Sequence, residues 1–80
     1  MPTVFRQDGF DVMIYTDDHP PAHVHVFKAG EEVVINLGDD EIAPEIRENK
    51  SMITRGMRHA LRIVAENQMF LLAEWRRIYA

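Results

Sequence analysis

Apolar side chains recur at every second residue through the first half of this chain and at every third or fourth residue through its last third. Strands therefore come first and a helix follows. Thr3-Val4-Phe5 reads as a short first strand, and Asp8-Gly9 supplies the positive-φ turn that leads into a second, Phe10 to Tyr15. Asp17-Asp18-His19-Pro20-Pro21 is a turn, because paired prolines remove two backbone donors and cannot sit in a central strand. Ala22 to Phe27 is a third strand, rich in β-branched residues. A hairpin connection, Lys28-Ala29-Gly30-Glu31, leads to a fourth strand, Glu32 to Leu37, with Val33, Ile35 and Leu37 on one face.

From Gly38 the pattern breaks, and residues 38–50 read as an acidic connection interrupted by Pro44. One long helix is expected over about 51–78, with Ser51 as its N-cap. Ile53, Met57, Ala60, Leu61, Val64, Leu71, Leu72, Trp75 and Ile78 form its apolar stripe, and Arg55, Arg58, Arg62, Glu66 and Arg77 its polar side. The expected fold is α+β: a small antiparallel sheet of three or four strands, all within residues 3–37, packed on one long C-terminal amphipathic helix as a single domain. One helix covers only a strip of such a sheet, and Met13, Tyr15, Phe27, Ile63 and Phe70 do not all fit the core faces. A homodimer would bury the remainder.

Composition narrows the chemistry. Eighty residues sit near the lower limit for one self-sufficient core, and with no cysteine neither disulfides nor thiolate ligands are available. Any metal must be held by His, Asp or Glu. The opening residues lack the basic and apolar regions of a secretory signal and no apolar run is long enough to span a membrane, so a cytoplasmic bacterial-type protein is expected. The formal charge of −4 disfavours a general nucleic-acid binder, yet it is an average of two unlike halves. Residues 1–48 carry eleven acids against three bases, a formal −8, and residues 49–80 six bases against two acids, +4. Such asymmetry points to a partner or to self-association.

The pointed chemistry lies between His19 and His25. Strand side chains alternate, so Val24 and Val26 face the helix while His23 and His25 share the open face, close enough for one divalent ion. His19 stands four residues earlier across the proline pair, beside Asp17 and Asp18. Three readings stand open. The histidines are surface or interface residues pairing with acids. Alternatively, His23 and His25, with His19 or a nearby Asp, ligate a divalent transition metal such as Zn, Ni, Mn or Fe(II). In the third, His23 and His25 act as catalytic acid and base on a phosphodiester, since imidazole titrates near neutrality. His59, among arginines on the helix, reads as a solvated surface residue.

Met1-Pro2-Thr3-Val4 and the segment Asp18-His19-Pro20-Pro21-Ala22-His23-Val24-His25-Val26, with Glu74-Trp75 on a late helix, resemble the small bacterial proteins known as domain of unknown function 4160. The resemblance covers most of the chain, and its histidine segment is the distinctive part. It implies a small protein often encoded beside another of unknown function, in arrangements like toxin–antitoxin pairs. It also implies passage from the fourth strand through a glycine turn into the helix. The acidic stretch containing Pro44 departs from that pattern, so no detail is carried over there.

Arg55, Arg58 and Arg62 form a row on the exposed helix face, suited to phosphate groups of an RNA, to an acidic partner surface, or to plain solvation. The leading expectation is a protein-interaction module, one half of a toxin–antitoxin-like pair, acting as a homodimer or with a small protein encoded nearby. The alternative is a His-dependent metal-binding enzyme or small ribonuclease that uses His19, His23 and His25, with Arg55 or Arg58 holding phosphate. That alternative needs the helix arginines to reach the histidine face, and the expected packing puts them on opposite sides.

Overall fold

A computed structural model describes residues 3–79, so Met1 and Pro2 of the opening that carries the family resemblance lie outside the described residues. The two short turns set the sheet. Asp8 and Gly9 have φ of 55° and 82°, and Ala29 and Gly30 have 51° and 82°, the paired positive values whose twist matches antiparallel strands. They join β1 (Thr3–Gln7) to β2 (Phe10–Met13) and β3 (His23–Lys28) to β4 (Glu31–Asn36). A fifth strand, β5 (Glu45–Asn49), pairs with β4, and all five lie antiparallel in the order β1-β2-β3-β4-β5.

The α+β class is as expected, but the sheet has five strands rather than three or four. β5 lies inside the stretch read as an acidic connection. Its sequence, Glu-Ile-Arg-Glu-Asn, has one apolar residue, because an edge strand packs little and gains most of its stability from the ladder. Charged side chains on such an edge also discourage pairing with other chains.

The expected long helix is two: α1 (Thr54–Glu66) and α2 (Gln68–Tyr79). Asn67 leaves helical geometry at φ −118°, ψ 20°, and its side chain donates to Ile63 O at 2.8 Å. The next side chain, Gln68, donates to the carbonyls of Leu37, Asp39 and Ile42 at 2.8, 2.8 and 3.0 Å. These carbonyls belong to the loop after β4, where Gly38 is required: a Cβ there would stand 2.1 Å from Ile42 O. The helix breaks where tertiary hydrogen bonds to that loop outweigh one more turn of local ladder.

Ser51 does not cap α1. Its Oγ accepts the Glu32 N–H at 2.9 Å, while Ile53, 66% exposed, occupies the cap position with no side-chain bond. One sheet face carries Phe10, Val12, Val24, Val26, Val33 and Ile35, all fully buried against Ala60, Ile63 and Val64 of α1 and Leu71, Leu72 and Trp75 of α2. Ile63, left off the expected stripe, is core, whereas Met69 and Phe70 are exposed. Each fully buried aliphatic side chain contributes roughly 1.5–3 kcal/mol by exclusion from water.

Candidate metal centre

Alternation along β3 puts His23 and His25 on the face away from that core, but the face is not open. The two histidines are only 5% and 8% exposed. The turn after β2 folds back over them. Asp18 Oδ2 accepts the Tyr15 N–H at 3.1 Å, Asp18 N–H returns to Tyr15 O at 3.3 Å, and the Tyr79 hydroxyl of α2 donates to the same carbonyl. An Asp is suited to such a turn because its short side chain reaches its own neighbouring backbone. Tyr15 stacks on His25 with ring centroids 4.1 Å apart, and Trp75 lies 5.3 Å from His23. Burial, and then the charges of Glu32 and Asp18, push the Tyr15 phenol above its ordinary value.

The hydrogen bonds assign the imidazole atoms. His23 Nδ1 lies 2.9 Å from Pro21 O, and a carbonyl oxygen only accepts, so Nδ1 carries a proton. His25 Nδ1 lies 3.0 Å from Glu32 Oε2, which sets the same tautomer through a carboxylate. Glu32 reaches His25 diagonally across the β3–β4 ladder, whose register pairs His25 with Val34. With both Nδ1 atoms committed, both Nε2 atoms turn to Asp18: His23 Nε2 is 3.4 Å from Oδ1, and His25 Nε2 is 3.2 Å from Oδ2.

Both Nε2 atoms and the Asp18 carboxylate face one another in this buried cluster, an arrangement satisfied either by a proton on Nε2 or by a cation shared among the three. The three donor atoms all lie within 4.8 Å of one another. From the one oxygen Asp18 Oδ1, His23 Nε2 stands 3.4 Å and His25 Nε2 3.3 Å away, and ligands about 2.0–2.1 Å from a common tetrahedral ion stand about 3.3 Å apart. Two histidines and one carboxylate are the ligand set of metal centres that keep positions open for substrate or water. The outward Nδ1–H bonds to a carbonyl and a carboxylate are the orienting shell such histidines use. Asn36, registered opposite His23, keeps a buried Oδ1 with no hydrogen-bond partner among the described residues.

Residues 9–76 match the family described as Domain of unknown function (DUF4160). The chain belongs to that family. The match spans Asp18, His23, His25, Glu32 and all five strands except β1. No match was found among curated proteins or among solved structures. Membership in DUF4160 thus carries the identity of the chain but no activity.

Within this DUF4160 fold the residues singled out in the sequence separate into two groups. His23 and His25 converge as expected. His19 does not join them: it is exposed and lines the mouth of the cleft, and Asp18 takes the third ligand position. Arg55, Arg58 and Arg62 are exposed on α1, which packs on the opposite sheet face, so the helix arginines do not reach the histidines. His59 is not simply solvated, since Nε2 pairs with Asp8 at 3.0 Å and its ring meets the Phe10 edge at 4.8 Å. The sequence reading missed Glu32 and Asn36. Both were accessible in principle, because the Ala29–Gly30 turn fixes which β4 residues share a face with His25.

Proposed function

We propose that this protein binds a divalent transition metal, Zn among the candidates, through Asp18, His23 and His25. The observation that carries the reading is the engagement of both Nδ1 atoms with outer acceptors, which leaves two Nε2 atoms and one carboxylate within 4.8 Å of one another. A bound ion there would polarise a substrate oxygen or lower the pKa of a coordinated water. Metal-assisted hydrolysis is therefore the activity class this site suits. A metal-free acid–base pair suits it less well, because Asp18 already faces both Nε2 atoms.

The test is a Zn(II) titration of untagged protein by calorimetry, beside elemental analysis of the protein as purified. One ion per chain is expected, with affinity falling by roughly a hundredfold or more in the His23→Gln/His25→Gln variant. Binding that is weak or survives the double substitution would defeat the proposal.

A second reading concerns partners. Phe70 and Met69 are 48% and 61% exposed, and Phe70 packs on Phe5 of the edge strand β1 with centroids 5.8 Å apart. This apolar patch favours an interaction role, as a homodimer or with a protein encoded nearby in a toxin–antitoxin-like pair. The two roles use different faces and are compatible. Among the described residues no helix is long and apolar enough to cross a membrane.

A further inference from the structure

The cleft above the Asp18–His23–His25 centre has a volume of about 260 Å³, and its far wall comes from β5 and the residue that follows it. The β4–β5 register passes from Ile35↔Ile46 to Val34↔Glu48, so one step on β4 matches two on β5 and Arg47 is the extra residue. Ile46 keeps to the core side. Strict alternation would then return Glu48 to that side as well, but the bulge leaves Arg47 and Glu48 both lining the histidine cleft. Bulges of this kind re-aim a side chain and are frequent beside functional sites. Lys50 lines the same wall.

Arg47 is uncommitted and Lys50 is only loosely held. Arg47 is exposed and makes no ion pair among the described residues, and Lys50 has only a loose contact, Nζ to Glu32 Oε2 at 3.7 Å. Arg presents a planar fork of donors that suits tetrahedral oxyanions, and Lys adds a point charge. Asp17 and Glu48 share the rim, so without an ion the cleft repels anions. With a divalent ion on Asp18 and the two histidines, three positive centres surround one open space.

We infer that this cleft takes a phosphate group, with one oxygen on the metal and the others on Arg47 and Lys50. The inference rests on the metal reading above. It also moves the phosphate-holding role from the arginines of α1 to the edge strand that the sequence reading took for a loop. Binding is conditional on the ion, because the metal-free cleft carries too many carboxylates to hold a dianion.

Calorimetry with inorganic phosphate on Zn-loaded and metal-free protein tests this, with Arg47→Ala and Lys50→Ala alongside. The loaded wild type binds phosphate and the metal-free protein does not. Each single variant weakens phosphate by about tenfold or more, and Arg47→Ala, which touches none of the ligands' partners, keeps its Zn affinity within about twofold of wild type. Loaded protein that ignores phosphate, or variants that bind it as well as wild type, overturns the inference and leaves the metal site standing. A wild type that takes up no Zn removes both together. Adenosine monophosphate in place of phosphate separates the sources: tighter binding assigns the group to a nucleotide, and equal binding to the phosphate alone.

Discussion

Along β3 the two faces of the central sheet are buried to nearly the same degree for opposite reasons. On one, Val24 and Val26 of β3 are fully buried among aliphatic side chains that need only fill space. On the other, His23 and His25 are almost as hidden, yet each ring nitrogen faces a named acceptor. The apolar face is stabilised by non-directional exclusion of water, so similar shapes can replace one another there. The polar face depends on each partner being present, since an orphaned buried polar group costs more than the bond contributes. Stability resides mainly on the first face, and chemistry on the second.

That division can be broken hardest from the apolar side. Ile35→Ala empties a fully buried position and is expected to cost about 2–5 kcal/mol in denaturant unfolding, while Zn affinity of the folded protein stays at its wild-type value. A parallel loss of Zn affinity would mean that the two faces are not independent.

Asp18→Asn should do the reverse. The amide keeps an oxygen for the Tyr15 N–H and puts two N–H donors at the Oδ1 position facing both Nε2 atoms, so with unprotonated Nε2 atoms the metal-free protein should stay within about 1 kcal/mol of wild type. The stabilisation by Zn, about 2.7 kcal/mol for wild type at a hundredfold excess over Kd, should vanish. A much larger loss in the absence of metal would show instead that the imidazoles are charged and paired with Asp18 as ions.

The smallest effect is in alkaline pH. Burial and two nearby carboxylates hold the Tyr15 phenol above its ordinary value of 10.0, and burial raises Tyr79 as well. The unfolded chain therefore releases these protons first. The associated stability is fully present below about pH 10 and is lost as the pH rises through the folded values. Tyr15→Phe should flatten that alkaline limb and leave stability near pH 7 almost unchanged. An unaltered limb would assign it to Tyr79 or to other groups.

Much of this contrast is legible in the chain. The alternation of Val24 and Val26 with His23 and His25 sorts them to opposite faces, and the Asp8-Gly9 turn and the Val33, Ile35, Leu37 set come out as read. The spacing of the histidines singles out the segment but leaves the surface, metal and catalytic readings open. Their burial is not legible there, because it depends on a turn folding back through Asp18 and on Tyr15, Trp75 and Tyr79 arriving from distant parts of the sequence. Choosing Asp18 over His19 as third ligand hinges on the same fold-back, which no local period encodes.

The remaining misreadings share one cause. Local pattern decides strand or helix where a side chain must be buried, and the regular part of the chain obeys it: two periods, two turns, one apolar face and one histidine pair. It is silent where backbone hydrogen bonds to distant partners decide the outcome. β5 exists because β4 has an open edge, and α1 ends at Asn67 because Gln68 is needed by the loop around Gly38. Arg47 reaches the histidine cleft because a bulge adds one residue to the ladder. Each of these is set by ladder register and hydrogen-bond satisfaction between segments far apart in the chain, and such terms acquire values only once the chain has folded.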